Sequence, residues 1–377
     1  MAKRAAPATE DTTDENHGGG RIRGLTLEQA RASFANGHGY LNACSMGLPP
    51  IGVTQATIRH AHQWADGVTS PGGYSETVER VRTQYAGLMS VPVREVAIAS
   101  QTAVIAGLVA ASIPAGAEVL CVEGEFSSMV YPFLVQQQRG IRVRHVPLAS
   151  LADEIRQDTY LVAFSIVQSG DGKVADSDRI VQRAIEVGAF TFCDLTQAAG
   201  AMPVDASLFD VTACNAYKWM MCPRGVAFMT VSPVFAATLR PINANWYSGH
   251  VVWDSLYGPE MTLATDARRF DVSPAWPSWV AAEPALALVE RLDLAEVHAA
   301  NVARADAFCT GIGISPQGQA IVTWSDHGDE SLAALTRAGI IASGRNGRIR
   351  VAFHIWNDDD DVRHAIDTLR ATGLPRS

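Results

Sequence analysis

The sequence predicts an α/β fold: a mostly parallel sheet covered by helices on both faces, joined to a smaller α+β domain. Strand-like apolar runs alternate with helical periodicities from about residue 96 to residue 231. The runs "TYLVAFSIV", "AFTFCDL" and "VTACNAY" are nearly continuous in apolar residues, as expected of strands buried on both faces. The chain has 377 residues, 47% of them hydrophobic, which is ample for a large core and a smaller second unit.

Residues 1–23 are polar and Gly-rich and are predicted to be disordered; they contain no apolar stretch of the kind a secretory leader needs. "GYLNACSMGLPP" reads as a short strand running into a Gly/Pro loop, and residues 24–45 are assigned to the small domain. The large domain spans 46–260. It opens with two helices, "QATIRHAHQWADG" and "SETVERVRTQYAGLMS", whose apolar positions recur at helical spacing. Then come the strand "EVAIAS", the helix "TAVIAGLVAASI", the strand "EVLCVEG", the helix "SMVYPFLVQQQRG" and the strand "RVRHVPL". "TYLVAFSIV", the helix "DSDRIVQRAIEVG", "AFTFCDL", "VTACNAY" and "GVAFMTVS" complete it. Residues 261–377 are assigned to the small domain: a long helical region, short strands such as "RIRVAFHIW" and a last helix, "DDDVRHAIDTLRATG".

Net charge is −9 and the pI about 5.6, which disfavours nucleic acid or a membrane surface as partner. No apolar run approaches the ~20 residues a membrane span needs. The six cysteines form no CxxC pair, as expected of reduced thiols in a cytoplasm. GxGxxG after a strand, GxxxxGK[ST] and GxSxG are all missing. "HAH" at 60–62 lies in a helical pattern that points its histidines in different directions, so no metal is expected.

Chemistry concentrates elsewhere. The chain has only three lysines, Lys3, Lys173 and Lys218, against 27 arginines (30 basic residues less 3). Lys218 follows a predicted strand and stands between Tyr217 and Trp219. An arginine cannot lose its proton, whereas a desolvated lysine can and then attacks carbonyls. Read alone, Lys218 is equally well a lysine whose stem lies over apolar surface. Asp194 alters that balance, because it ends the preceding predicted strand and both side chains then reach one sheet edge. An acid opposite an aldehyde-holding lysine is what pyridoxal phosphate requires. Taken alone, Asp194 is a cap for the "LTQAAG" turn. Gln197 is placed to meet the ring's phenolic oxygen. Ser100, Gln101 and Thr102 open a helix where a phosphate would sit, although ordinary capping explains that segment equally well. Asn215 and Tyr217 flank the lysine and complete the cup.

"FCDLTQAAGAMPVDASLFDVTACNAYKWMMCPRGVAFMTV" resembles the cofactor segment of the class V aminotransferase family. These are pyridoxal-phosphate enzymes of fold type I, among them cysteine desulfurases, isopenicillin N epimerase and kynureninase-like lyases. Weaker correspondences run from "YLNACSMG" to "RIRVAFHIWND". The resemblance implies that Lys218 holds the cofactor as a Schiff base and that Asp194 pairs its ring nitrogen. It places Gln197 at the phenolic oxygen and gives Gln101, Thr102, Asn215 and Tyr217 to the phosphate. It puts Phe126 where an aromatic residue, often His, stacks on the ring; Phe stacks but relays no proton. Arg350 falls at the position that grips the substrate α-carboxylate, where a bidentate fork suits the task. Asn42 joins it as a substrate-binding position. A homodimer is also implied.

Cysteine desulfurases carry a nucleophilic cysteine shortly before that arginine, and "AGIIASGRNGRIR" has none. Persulfide chemistry is therefore not expected. Cys44 is the one cysteine whose loop position suggests mobility. The expected function is a pyridoxal-phosphate enzyme acting at Cα of a small amino acid, with transamination placed first on the family label. A β-eliminating lyase, such as a carbon–sulfur lyase, and an amino-acid epimerase are the alternatives. A non-catalytic binding protein on the same fold is disfavoured by the presence of Lys218, Asp194 and Arg350 together.

Overall fold

The computed structural model describes residues 24–345 and 347–373, so the expectation for residues 1–23 lies outside the described part. In chain order the elements are α1 (Leu27–Arg31), α2 (Ile51–Ala65), α3 (Pro71–Leu88), β1 (Val96–Ala99), α4 (Thr102–Ser112), β2 (Glu118–Val122) and α5 (Ser127–Leu134). Next are β3 (Arg142–Val146), β4 (Thr159–Ser165), α6 (Ser177–Val187), β5 (Phe190–Asp194), β6 (Val211–Asn215), β7 (Ala227–Val231) and α7 (Pro233–Ala236). The rest are α8 (Trp276–Val289), α9 (Leu294–Gly311), β8 (Ile321–Ser325), α10 (Glu330–Arg337), β9 (Ser343–Arg345), β10 (Arg348–Ala352) and α11 (Asp359–Ala371).

The first seven strands form one sheet in the order β1-β7-β6-β5-β4-β2-β3. β7 runs antiparallel to both its neighbours, and the other four pairings are parallel. The unbroken apolar strands are explained by two separate cores. Val162 and Phe164 of β4 face one, with helices α3 and α6, while Leu161 and Ala163 face the other, with α4 and α5. Parallel strands leave their carboxyl ends on one edge, where ligands bind in such sheets. Ser165, Asp194 and Asn215 are the last residues of β4, β5 and β6.

β8, β10 and β9 form a three-stranded antiparallel sheet covered by α9, α10 and α11. "YLNACSMG" makes no strand; only Tyr40 and Asn42 form single bridges, to Ile341 and Ala352 of the small-domain side. Residues 261–290 pack differently from their expected assignment. Trp279, Ala282 and Leu286 of α8 lie in the large-domain core, with α8 against α2 and α3. Asp271 accepts from the buried Arg82 guanidinium at 2.7 Å and from the Ile98 N–H of β1. Removing either charge of so buried a pair costs about 3–5 kcal/mol. This packing supports a boundary after α8 rather than at 261.

Candidate active site

The stretch 192–200 acquires its geometry from contacts on three sides. Asp194 is 4% exposed; its Oδ1 accepts the Thr196 N–H at 2.8 Å and its Oδ2 the Thr102 hydroxyl at 3.4 Å. Burial pushes the carboxyl above its usual range, opposed chiefly by the Thr196 hydrogen bonds and, more weakly, by the Lys218 cation. The Thr196 hydroxyl also accepts the Asn215 N–H, which ties β6 to the turn after β5. Gln197 is held at both ends: its carbonyl accepts from the Trp219 indole at 2.8 Å, and its amide donates to the Cys44 carbonyl at 2.9 Å. The amide nitrogen has a second hydrogen for another acceptor. Gly200 closes the turn at φ +88°, where an added Cβ would lie 2.8 Å from the Trp219 backbone.

Lys218 follows β6 and is buried. Burial, with the Arg350 cation assisting, pushes its amine down to about 8 against the pull of Asp194. Its Nζ stands 5.9 Å from the Phe126 ring centroid and 6.0 Å from that of Tyr217. The chain reaches this place twice more. Gly47 donates to the Tyr217 carbonyl, so close that a Cβ there would meet the Lys218 carbonyl at 2.1 Å. His354 donates from Nε2 to the Trp219 carbonyl at 2.9 Å, and burial holds its ring well below the usual range, at about 4.

Beside these groups is a cavity of about 250 Å³ lined by Ser100, Gln101, Thr102, Phe126, Tyr217 and Arg224, among others. Gln101 is the N-cap of α4 but makes no side-chain cap bond. Asn215 substitutes, accepting the Thr102 N–H at 3.3 Å and donating to the Thr102 hydroxyl at 2.7 Å. Arg224 lies over the Tyr217 ring at 4.4 Å, adding a cation to a helix start that already favours an anion.

Arg350 reaches the site from β10 and is 5% exposed. Its Nη1 donates to the Ser169 carbonyl, and its Nη2 to the hydroxyls of Ser45 at 3.2 Å and Ser343 at 3.3 Å. Its Nε is buried without a partner among the described residues, as is the Asn42 Oδ1. Asn42 begins the turn that carries Ser45, since its carbonyl accepts the Ser45 and Met46 N–H groups. Of the expected site residues, Gln101, Thr102, Phe126, Asn215 and Tyr217 line one pocket, Asp194 and Lys218 adjoin it through Thr102, Phe126 and Tyr217, and Gln197, Arg350 and Asn42 do not line it. Sequence reasoning missed Thr196, Trp219, Arg224 and the three serines around Arg350; "PRG" behind the lysine was the one available signal, for Arg224. Cys44 is not mobile as expected: it is 1% exposed, in the core, with its carbonyl bound by Gln197. All six cysteines are buried.

The residues fit pyridoxal phosphate on their own chemistry: a helix start with hydroxyls and a cation, a buried carboxylate, an aromatic face, and a buried amine of lowered basicity. The fold and this site define an enzyme of the pyridoxal-phosphate type I class. The family model for aminotransferase class-V matches residues 61–342, and the chain belongs to that family; it is a pyridoxal-phosphate-dependent enzyme. An uncharacterized aminotransferase, YcbU, of Bacillus subtilis (strain 168) is 26% identical over 361 residues, covering 89% of this chain and 94% of the relative. Among solved structures, the cysteine desulfurase CsdA of Escherichia coli superposes with a TM-score of 0.81 at 19% identity, covering 93% of this chain and 100% of that one. The cystine C–S lyase C-DES, in complex with its product cysteine persulfide, gives 0.79 at 20%, covering 88% and 97%.

Proposed function

We propose that the chain transaminates a small α-amino acid. Lys218 carries the cofactor and moves the Cα proton, Asp194 pairs the ring nitrogen, and Arg350 with Asn42 receives the α-carboxylate. The observation that carries this reading is the buried Lys218 amine, acted on by the charges of both Asp194 and Arg350, with the Arg350 Nε buried and unpartnered among the described residues. When bound, pyridoxal phosphate supplies an electron sink for negative charge at Cα. Gln101, Thr102, Asn215, Tyr217 and Arg224 hold its phosphate in this reading, Phe126 covers its ring, and the spare hydrogen of Gln197 meets its phenolic oxygen.

Near neutral pH a tenth of the Lys218 amine is already neutral, a fraction that follows from a value near 8. The neutral form is a nucleophile and a base, so one residue serves both attachment and proton transfer. Transamination is a 1,3 proton shift, which a single base can carry out. Two-base epimerisation needs a second proton carrier, and Phe126 removes one relay that a histidine at that position would offer.

β-Elimination is the second reading, favoured by the likeness to a cystine C–S lyase. Neither reading uses a persulfide cysteine, in keeping with the burial of all six thiols. A homodimer belongs to the same proposal. The segment from Val251 to Met261 leaves Tyr257 89% and Met261 72% exposed, apolar surface suited to a second copy.

Product analysis decides between the branches. Single-turnover incubation of the holoenzyme with L-alanine and with L-cystine is expected to give the keto acid and the amino form of the cofactor from alanine. Release of ammonia, a keto acid and the persulfide leaving group from cystine, with the cofactor spectrum restored each cycle, would replace transamination by elimination.

A further inference from the structure

Beyond Arg350 the small sheet continues into a second, larger cleft whose contents point to the side chain of the substrate. Burial shows which way the sheet faces. Ile349 and Val351 of β10 and Val322 and Trp324 of β8 lie in the small-domain core. Side chains alternate along strands, so Arg348, Arg350 and Thr323 face the large domain. Ser343 and Arg345 share that face on β9, because the Ser343 hydroxyl meets Arg350 and Arg345 is two residues on.

Arg345 and Arg348 are directly opposed in the β9–β10 register. Both line a cleft of about 730 Å³ between the two sheets, together with Glu123, Asp171, Lys173 and Thr323. Like charges directly opposed on two strands destabilise a sheet unless something offsets them. Neither arginine is paired with a carboxylate among the described residues. Arg345 donates to the Gly344 carbonyl, and Arg348 to the Thr323 hydroxyl at 3.1 Å and carbonyl at 3.4 Å. Lys173 is paired with Asp171 at 3.0 Å. Arg345 and Arg348 are exposed in the cleft, and its three cations face two carboxylates, a surplus of one positive charge open to an anionic ligand.

The cleft comes within one residue of an Arg350 contact. Gln168 lines it while donating to Glu125 beside Phe126, and the neighbouring Ser169 carbonyl accepts from Arg350. Arg348 and Arg350 are two residues apart on one strand, which separates their backbone positions by roughly 6.6 Å. That is the span of an amino acid with acidic groups at both ends.

We propose that this cleft receives a carboxylate at the far end of the substrate side chain, held by Arg345 and Arg348, so that the enzyme prefers acidic amino acids over their neutral isosteres. The proposal rests on the reading of Arg350 as the α-carboxylate site and names the substrate class for that site.

Calorimetric titration of the holoenzyme with L-glutamate, L-glutamine, L-aspartate and L-asparagine tests it. For at least one acid–amide pair the acid is expected to bind about tenfold or more tightly, the scale of one charged hydrogen-bonded contact. In R345Q/R348Q, with folding checked by circular dichroism, that ratio is expected to fall to about one. Equal binding of acid and amide by the wild type, or a ratio unmoved in the variant, would overturn the proposal and leave the α-carboxylate reading intact. Failure of all four to bind, together with L-alanine, would overturn the proposal and the α-carboxylate reading with it.

Discussion

Asp194 and Arg350 are buried charges of opposite sign that both act on Lys218, yet their surroundings differ. Asp194 ends a central strand of the large sheet, and its hydrogen bonds come from the next turn and from α4, all parts of one rigid layer. Arg350 comes from the small sheet. It meets Ser169 of the large domain and Ser45 of the N-terminal segment, and one donor is left over. In the proposed reading, the cofactor half of the site is therefore largely satisfied by the protein itself. The substrate half holds an uncompensated cation, a costly arrangement unless an anion arrives. The difference teaches where binding energy is available: the first half orients, and the second half recruits.

Asp194→Asn breaks the first half and carries the largest expected effect. The variant is expected to bind cofactor, since the phosphate cup is untouched, and to lose about 10²–10³-fold in turnover, the scale of removing one electrostatic stabiliser. Near-normal single-turnover rates in this variant would reduce Asp194 to a turn residue. Arg350→Ala breaks the second half. It is expected to weaken α-amino acids by at least ~2 kcal/mol, about 30-fold, while amines lacking the carboxylate bind much as before. Equal losses for amino acids and amines, measured by spectral titration, would make Arg350 structural.

The smallest effect sharpens the comparison through pH. Attachment needs the neutral amine, and burial has moved the Lys218 value downward to about 8. The neutral fraction at pH 7 is then about 300-fold that of an ordinary lysine. The rate of cofactor attachment to the apo chain is expected to rise about fivefold between pH 7 and 8 and less than twofold beyond. A rate still climbing tenfold per unit above pH 9 would mean that the amine is solvated.

Much of the cofactor half was legible in the sequence. Asp194 ends β5 and Lys218 follows the end of β6, and parallel neighbours must deliver their ends to one edge. The scarcity of lysine made Lys218 conspicuous. The substrate half was legible only through a family resemblance, because Ser45, Ser169 and Ser343 are common residues far apart in sequence. The register of β10, which turns Arg350 toward the large domain, depends on pairings that no local pattern declares. α8 was assigned to the small domain for a similar reason. "WPSWVAAEPALALV" is apolar on every side, so its periodicity does not say which neighbour it packs against. Cys44 looked mobile because Gly and Pro follow it; the Gly47 contact beneath Lys218 is what fixes that loop in place.

The central claim is that Lys218 is the residue that carries pyridoxal phosphate. Borohydride reduction of the purified holoenzyme, followed by peptide mapping, tests it most directly. The account predicts loss of the visible absorbance band and a stable pyridoxyl label on Lys218, with no label at that peptide in Lys218→Ala. A label found instead on Lys173, in the exposed loop beside Asp171, would contradict it.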